Sequence, residues 1–205
     1  MMTASDLEAR HLFAPLPMVD EDANARLHAR LVAAAERDGL LDIAYRTIDT
    51  PVGTLLLAAT GQGLVRVAYA REDHDAVLVK LAEVISPRIL NAPRRLDEAC
   101  RQIEEYFAGR RTVFDLSLDF RLSNGFRRTV LAHLPEIAYG RTQSYAQVAA
   151  ATGSPKAVRA VGTACATNPL PVVLPCHRVI RSDGSFGGYA GGTDAKQTLL
   201  TLESA

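Results

Sequence analysis

The stretch that decides the fold is residues 144–166, which read SYAQVAAATGSPKAVRAVGTACA. Ser144 is suited to cap a short helix that ends near residue 151, and Gly153 then belongs to a turn. Pro155 suits the first turn of a second helix, which we expect to continue to about Ala166. A helix, a short glycine-containing turn and another helix are the layout of a helix-turn-helix, although many helical packing units share it.

The second predicted helix is rich in small side chains. Val158 and Val161 can face the core, and the other positions form a surface of low relief: Ala157, Ala160, Gly162 and Thr163. Such a surface can approach another backbone closely, whether protein or nucleic acid. Arg159 is the long cation in the middle of this helix, and its spacing alone indicates no more than a solvated or phosphate-contacting side chain.

Length and composition indicate a folded protein of one large or two small domains. The chain has 205 residues, of which 48% are hydrophobic and 22% are charged, so global disorder is excluded. No apolar run approaches the roughly 20 residues of a membrane span, and the N-terminus lacks the pattern of a signal peptide. Three cysteines fit a reducing compartment and exclude a disulfide framework. We therefore predict a cytoplasmic protein without a membrane partner.

The net charge of zero hides a difference between the two parts of the chain. Residues 1–120 hold 14 Lys and Arg against 19 Asp and Glu, a balance of −5. Residues 121–205 hold 9 against 4, a balance of +5. This asymmetry favours contact between the second part and a polyanion, but random scatter would also explain it.

Before residue 121 the sequence predicts an α+β arrangement. Residues 1–20 have the composition of a leader, and an Ala-rich helix follows over 20–40. Three strand-like runs separated by glycine-containing turns predict an antiparallel meander: residues 43–48, 54–59 and 64–70. Helices are expected at 74–85 and 96–107, and another strand at 113–118. We divide the chain into an N-terminal extension, an α+β domain and a mainly helical domain, with bounds 1–40, 41–120 and 121–205.

Residues 168–180 read NPLPVVLPCHRVI and carry the clearest chemical signal. Cys176 is fixed by the preceding proline and followed by His177 and Arg178, two bases that should stabilise its thiolate, the nucleophilic form. Neighbouring residues on an extended chain point to opposite sides, so His177 would act through a bridging water or a turn. An inert core cysteine remains an alternative for this motif by itself. Cys100 and Cys165 have no adjacent histidine and are expected only to pack.

A series of ordered motifs surrounds this cysteine. Asn-Pro precedes it at 168–169, and Gly-Gly-Tyr-Ala-Gly-Gly follows at 187–192. With Tyr-Gly-Arg-Thr at 139–142 and Pro-Lys-Ala-Val-Arg-Ala-Val-Gly at 155–162, the series resembles the O6-alkylguanine-DNA alkyltransferases over about 80 residues. The strand-rich part is loosely similar to the ribonuclease-H-like domain of that family, and the first 40 residues lie outside the resemblance.

The resemblance implies a single-turnover DNA repair enzyme that needs no cofactor. Some members of the family hold zinc in the N-terminal domain, but no cysteine precedes Cys100 in this sequence, so we expect no metal. Cys176 would take the alkyl group from O6 of guanine, or from O4 of thymine, and keep it as a thioether. Glu203 would orient His177, and His177 would deprotonate Cys176 through a water. Asn168 would tie the cysteine loop to the second helix of the helix-turn-helix.

The resemblance also implies a monomer that binds double-stranded DNA through the minor groove. Tyr145 would help to rotate the damaged nucleotide outwards, and Arg159 would take its place in the stack. The further DNA contacts implied are Ala157, Ala160, Gly162, Thr163 and Arg178. The residues implied for the guanine pocket are Tyr189, Val179, Ala190 and Pro171.

Two positions depart from the family pattern. Leu131 stands where the family usually has Trp, and Ala190 stands where some members carry a polar group. A DNA-lesion-binding module that does not repair therefore stays the alternative function, although the intact Cys176, His177 and Glu203 count against it. A thiol hydrolase is disfavoured because no oxyanion-hole motif is evident.

Overall fold

A four-stranded sheet forms the framework of the first half of the protein. The computed structural model describes residues 20–204, and its sheet has the order β3-β2-β1-β4. The strands are β1 (Ile43–Ile48), β2 (Leu55–Thr60), β3 (Gly63–Tyr69) and β4 (Ile89–Asn91). The first three form the predicted antiparallel meander. The short β4, which pairs parallel with β1, was not predicted.

The strand predicted at residues 113–118 is wrong. Its alternation in burial is real, because Phe114, Leu116 and Leu118 pack against the core while Val113 is exposed. However, only Leu118 makes a ladder contact, an isolated parallel bridge to Leu64. The segment lies over the core as an extended chain without a partner strand.

The helices of the first half begin and end close to the predicted positions. They are α1 (Glu21–Arg37), α2 (His74–Val84) and α3 (Asp97–Phe107). Asp20 caps α1 by accepting hydrogen bonds from two backbone N–H groups, and Gly39 follows its end with φ +64°. The leader predicted for residues 1–20 lies almost wholly outside the described residues. Within the described residues, those from 20 to 38 belong to a different unit from those that follow.

The second half is mainly helical, so the predicted α+β fold class is confirmed. Its helices are α4 (Gly125–His133), α5 (Tyr145–Ala151), α6 (Val158–Ala166) and α7 (Gly192–Glu203). Two short parallel strands, β5 (Gln143–Ser144) and β6 (Val179–Ile180), join the region before α5 to the segment after the cysteine. Among residues 20–204, no helix combines the length and the apolar character that crossing a membrane requires.

The helix-turn-helix is formed by α5 and α6. Ser144 caps α5 in a reciprocal capping box with Gln147, as its position before the helix predicted. The start predicted for α6 at Pro155 is wrong by three residues. The N–H of Ala157 donates to the carbonyl of Ser154 at 2.8 Å, so the proline occupies the second position of a tight turn and the helix begins afterwards.

A continuous apolar core joins the two halves. It includes Leu57 and Tyr106 from the first half and Leu131, Val161 and Cys176 from the second. Leu131, the residue that replaces the family's Trp, is fully buried in this core. Residues from Gly39 onwards therefore form one compact unit, and the division into domains 41–120 and 121–205 stays a prediction.

The turn between β2 and β3 provides a test of this packing. Gly63 has φ +141°, and a Cβ there would overlap the backbone carbonyl of Ser117 in the segment that crosses the sheet edge. We expect Gly63→Ala to lower the free energy of unfolding by at least about 2 kcal/mol, as measured by urea denaturation. Gly61→Ala is the control, because a Cβ at Gly61 meets no atom within 4 Å. Equal stabilities of the two variants would contradict the proposed clash.

Candidate active site

The loop that carries Cys176 is held in shape by one buried side chain, Asn168, which follows the end of α6. Its Oδ1 accepts the N–H of Leu170 at 2.9 Å, and its Nδ2 donates to the carbonyl of Leu174 at 2.9 Å. The same Nδ2 lies 3.1 Å from the Sγ of Cys176. Asn168 therefore braces the loop from inside and donates a hydrogen bond to the sulfur.

The backbone of this loop is strained at Val172. Its φ is +72°, a region that a β-branched side chain rarely adopts, and the side chain is fully buried. Strain of this kind costs about 1–3 kcal/mol and persists only where surrounding contacts enforce it. The hydrogen bonds of Asn168 on both sides of Val172 provide that enforcement.

The thiol of Cys176 is protonated at neutral pH. Burial raises the pKa of Cys176 to about 11, and the hydrogen bond from Asn168 only partly opposes this effect. Burial therefore outweighs the stabilisation of the thiolate that was predicted from the neighbouring His177 and Arg178. Burial also raises the pKa of Cys100 to about 11, so the hydrogen bond from Asn168 and the adjacent base distinguish Cys176, rather than its acidity.

Next to the thiol, His177 and Glu203 form a buried pair. Nε2 of His177 lies 2.9 Å from Oε1 of Glu203. Burial alone would raise the pKa of Glu203, but hydrogen bonds from His177 and Arg178 outweigh it and lower that pKa to about 2. Burial lowers the pKa of His177, although Glu203 opposes the shift, so the imidazole is neutral at pH 7.

This pair fixes the tautomer of His177. Nε2 faces an ionised carboxylate and must carry the proton, which leaves the lone pair on Nδ1. Nδ1 is buried and has no hydrogen-bond partner within the described residues. The histidine therefore keeps a basic nitrogen buried in the residue next to Cys176.

The carboxylate of Glu203 is the meeting point of several donors. Arg178 donates from Nε to Oε2 at 2.8 Å and from Nη2 to Oε1 at 2.9 Å. The hydroxyl of Tyr106 donates to Oε1 at 2.7 Å, and the N–H of Gly140 donates to Oε2 at 3.3 Å. Because α7 ends at Glu203, these contacts tie the C-terminal helix to three other parts of the fold.

Known proteins match most of this chain. Residues 43–120 match the ribonuclease-like domain of 6-O-methylguanine DNA methyltransferase, and residues 125–205 match its DNA-binding domain. A methylated-DNA–protein-cysteine methyltransferase from Mycolicibacterium paratuberculosis is 42% identical over 161 residues, which are 78% of this chain and 92% of the relative. The chain belongs to the methylated-DNA–protein-cysteine methyltransferase family.

Solved structures of the family share the fold. The Mycobacterium tuberculosis O6-methylguanine methyltransferase superimposes with a TM-score of 0.70 at 38% identity, covering 79% of this chain and 93% of that one. A structure of the same organism's OGT in complex with DNA gives a TM-score of 0.68 at 38% identity, covering 78% of this chain and 92% of that one. The resemblance stated from the sequence motifs is therefore confirmed.

Most residues predicted for DNA contact lie on α6 or directly before it, at Ala157. Arg159, Ala160 and Thr163 are exposed, and Ala157 and Gly162 are half-buried. The side chain of Arg159 has no hydrogen bond or ion pair with any residue in the range 20–204. The division predicted for the two valines is half wrong, because Val161 is buried but Val158 is 37% exposed.

Arg178 is buried and does not share the exposure of the α6 residues. It is 5% exposed, and its third donor, Nη1, reaches the carbonyl of Ile137 at 2.6 Å. The predicted contact of Arg178 with DNA is therefore wrong. The sequence could not distinguish the two roles, because Glu203 and Ile137 are 25 and 41 residues away from Arg178.

The predicted pocket residues lie around the cysteine loop with different exposure. Tyr189 is half-buried, and its hydroxyl lies 2.9 Å from the hydroxyl of Tyr69. Ala190 is half-buried against the core, and Pro171 is buried. Burial raises the pKa of Tyr145 to about 12, and its hydroxyl lies against Gly187, where a Cβ would overlap it.

Two buried polar residues of the site were missed in the sequence. One is Tyr106, and the other is Lys196, which has no exposed surface and donates from Nζ to the carbonyl of Val179 at 2.6 Å. Burial lowers the pKa of Lys196. No motif singles out either residue, because each contact joins distant segments. Within residues 20–204, no group of three or more His, Cys, Asp and Glu side chains is suited to hold a metal ion.

The buried ion pair between Arg178 and Glu203 predicts that Arg178 stabilises the fold. Arg178→Gln leaves the Glu203 carboxylate buried without its charged partner, so we expect a loss of about 3–5 kcal/mol in the free energy of unfolding. Urea denaturation at pH 7 measures this loss. Arg181→Gln, at an exposed position three residues later, should change stability by less than about 0.5 kcal/mol. Similar, small losses in both variants would contradict the structural role.

Proposed function

We propose that this protein repairs double-stranded DNA by transferring an alkyl group from O6 of guanine to Cys176, once per molecule. The observation that carries the proposal is the juxtaposition of the Cys176 sulfur, held by Asn168, with a neutral His177 that is oriented by Glu203. The relatives at about 40% identity, named methylated-DNA–protein-cysteine methyltransferases, support it.

The proposed reaction moves one proton and one alkyl group. The Sγ proton of Cys176 passes through a water to Nδ1 of His177, and Glu203 stabilises the imidazolium. The thiolate attacks the alkyl carbon, and the bond between that carbon and O6 breaks with its electron pair remaining on the guanine. The guanine takes up the proton from His177, so the products are unmodified guanine and a protein thioether.

Asn168 has two tasks in this scheme. Its Nδ2 donor stabilises the negative charge that develops on Sγ before the attack, as preorganised donors do in other active sites. Its second bond, to the carbonyl of Leu174, fixes the direction from which the sulfur approaches the alkyl carbon. Tyr189, Val179, Ala190 and Pro171 are the proposed lining of the guanine pocket.

The approach to DNA is proposed to use the exposed face of α6 in the minor groove. The small side chains of this face allow close contact with the DNA backbone, and Arg159 would fill the gap that the flipped nucleotide leaves in the stack. Tyr145 would crowd the flipped nucleotide from the adjacent helix. Reaction at O4 of thymine, the monomeric state and the cytoplasmic location stay predictions from the sequence.

Intact-protein mass after incubation with an oligonucleotide containing O6-methylguanine tests the transfer. We expect the unmodified protein to gain one methyl group in place of one hydrogen, at one equivalent per molecule, and Cys176→Ala to gain none. Cys100→Ser and Cys165→Ser are the matched controls and should still gain the group. DNA binding without any mass gain would favour the lesion-binding module, and turnover beyond one equivalent would favour a hydrolase.

The role of Arg159 is tested by comparing two substrates. Arg159→Ala should slow transfer from duplex DNA by tens- to hundreds-fold, because unstacking a base costs a few kcal/mol and Arg159 compensates for the vacant position. Transfer from free O6-benzylguanine should be nearly unchanged, since no base is replaced there. Lys156→Ala, which removes an exposed cation just before α6, is the control. Equal losses on both substrates would assign Arg159 to the surroundings of the thiol instead.

A further inference from the structure

We propose that Tyr106 is a positioning residue of the active site, supplied by the ribonuclease-like half of the chain. Tyr106 lies on α3, within the region that matches the ribonuclease-like domain. Its hydroxyl contacts the side chain of Glu203, which is the last residue of α7. The inference rests on the proposed function, because it assigns to Tyr106 the control of the base that deprotonates Cys176.

The hydrogen bond between Tyr106 and Glu203 is short and buried, and it is directed at the carboxylate oxygen that also contacts His177. The hydroxyl of Tyr106 lies 2.7 Å from Oε1 of Glu203, the same oxygen to which Nε2 of His177 donates at 2.9 Å. Tyr106 has no exposed surface. Burial raises the pKa of Tyr106 and the charge of Glu203 raises it further, so the group stays a neutral phenol that donates a hydrogen bond.

The ring of Tyr106 is clamped by other aromatic rings, so its hydroxyl has little freedom to turn away. Phe107 and Phe114 have ring centroids 5.3 Å from that of Tyr106, and Tyr139 lies at 6.2 Å. Such packing fixes the position of the donor before substrate arrives. A hydroxyl held by a rigid ring can therefore fix Oε1, and through Oε1 the direction of the His177 ring.

The hydrogen bond also adjusts the basicity of His177. A donor on the carboxylate withdraws part of the negative charge that His177 senses, which favours the neutral imidazole. Without the hydroxyl, Glu203 would stabilise the imidazolium more strongly and the pKa of His177 would rise. Arg178 still holds both carboxylate oxygens in that case, so the buried ion pair does not depend on Tyr106.

Tyr106→Phe removes the hydroxyl and keeps the ring. We measure the rate of methyl transfer from duplex DNA and of iodoacetamide alkylation at Cys176, mapped by peptide mass, as functions of pH. We expect transfer to be about three- to tenfold slower at pH 7 and the acid limb of both profiles to move up by about half a pH unit or more. Site-specific replacement of Tyr106 by 3-fluorotyrosine, a stronger donor, should move the limb to lower pH.

Tyr139→Phe is the matched control, because Tyr139 belongs to the same ring cluster and its hydroxyl donates to the carbonyl of Leu202 at 3.2 Å instead of to Glu203. Its acid limb should stay at the wild-type position. An unshifted limb in both Tyr106 variants, or an equal shift in Tyr139→Phe, would overturn the proposal. If the unmodified protein takes no methyl group from DNA, the proposed function fails, and the iodoacetamide profiles still decide the role of Tyr106.

Discussion

The rest of the site depends on the burial of one carboxylate charge, that of Glu203. A buried charge is tolerated only when it is paired and fully hydrogen-bonded, and Glu203 satisfies this requirement with donors from α3, from the segment before β5 and from the cysteine turn. Each of those donors must occupy one place for the carboxylate to be compensated. The need to compensate the buried charge of Glu203, which stabilises the fold, therefore also positions His177.

In this site the proton donor, the Cys176 thiol, and the proton acceptor, the His177 imidazole, belong to adjacent residues and are both buried. The thiol is a weak acid because it is buried, and the histidine is neutral for the same reason, so neither group carries a charge before the reaction. Glu203 and Arg178 form an ion pair beside these groups, and Lys196 is buried on the carbonyl of Val179. The proton of Cys176 therefore needs a prepared acceptor, and the buried His177 that Glu203 holds is positioned to provide it.

Sequence analysis predicted the elements whose signals are local. Turn glycines and caps marked three strands and most helices, and ordered motifs identified the family. The prediction failed where long-range pairing decides the outcome: β4 has three residues and pairs with a strand more than 40 positions earlier, and 113–118 alternates in burial without any partner strand. The contacts of Arg178 and Tyr106 with Glu203 were not predictable for the same reason, because Glu203 is 25 and 97 residues away from them along the chain.

The position of Asn168 connects helix α6 to the reactive cysteine. Helix α6 ends at Ala166, and Asn168 follows two residues later. The side chain of Asn168 donates hydrogen bonds to the carbonyl of Leu174 and to the sulfur of Cys176. A displacement of α6 is therefore transmitted to Cys176 through very few bonds, with Val172 held in an unfavourable conformation between them. Since packed interiors deform little, the loop and the helix must move together. The exposed face that carries Arg159 and the buried sulfur are thus linked through Asn168, so the position of α6 constrains the position of the sulfur.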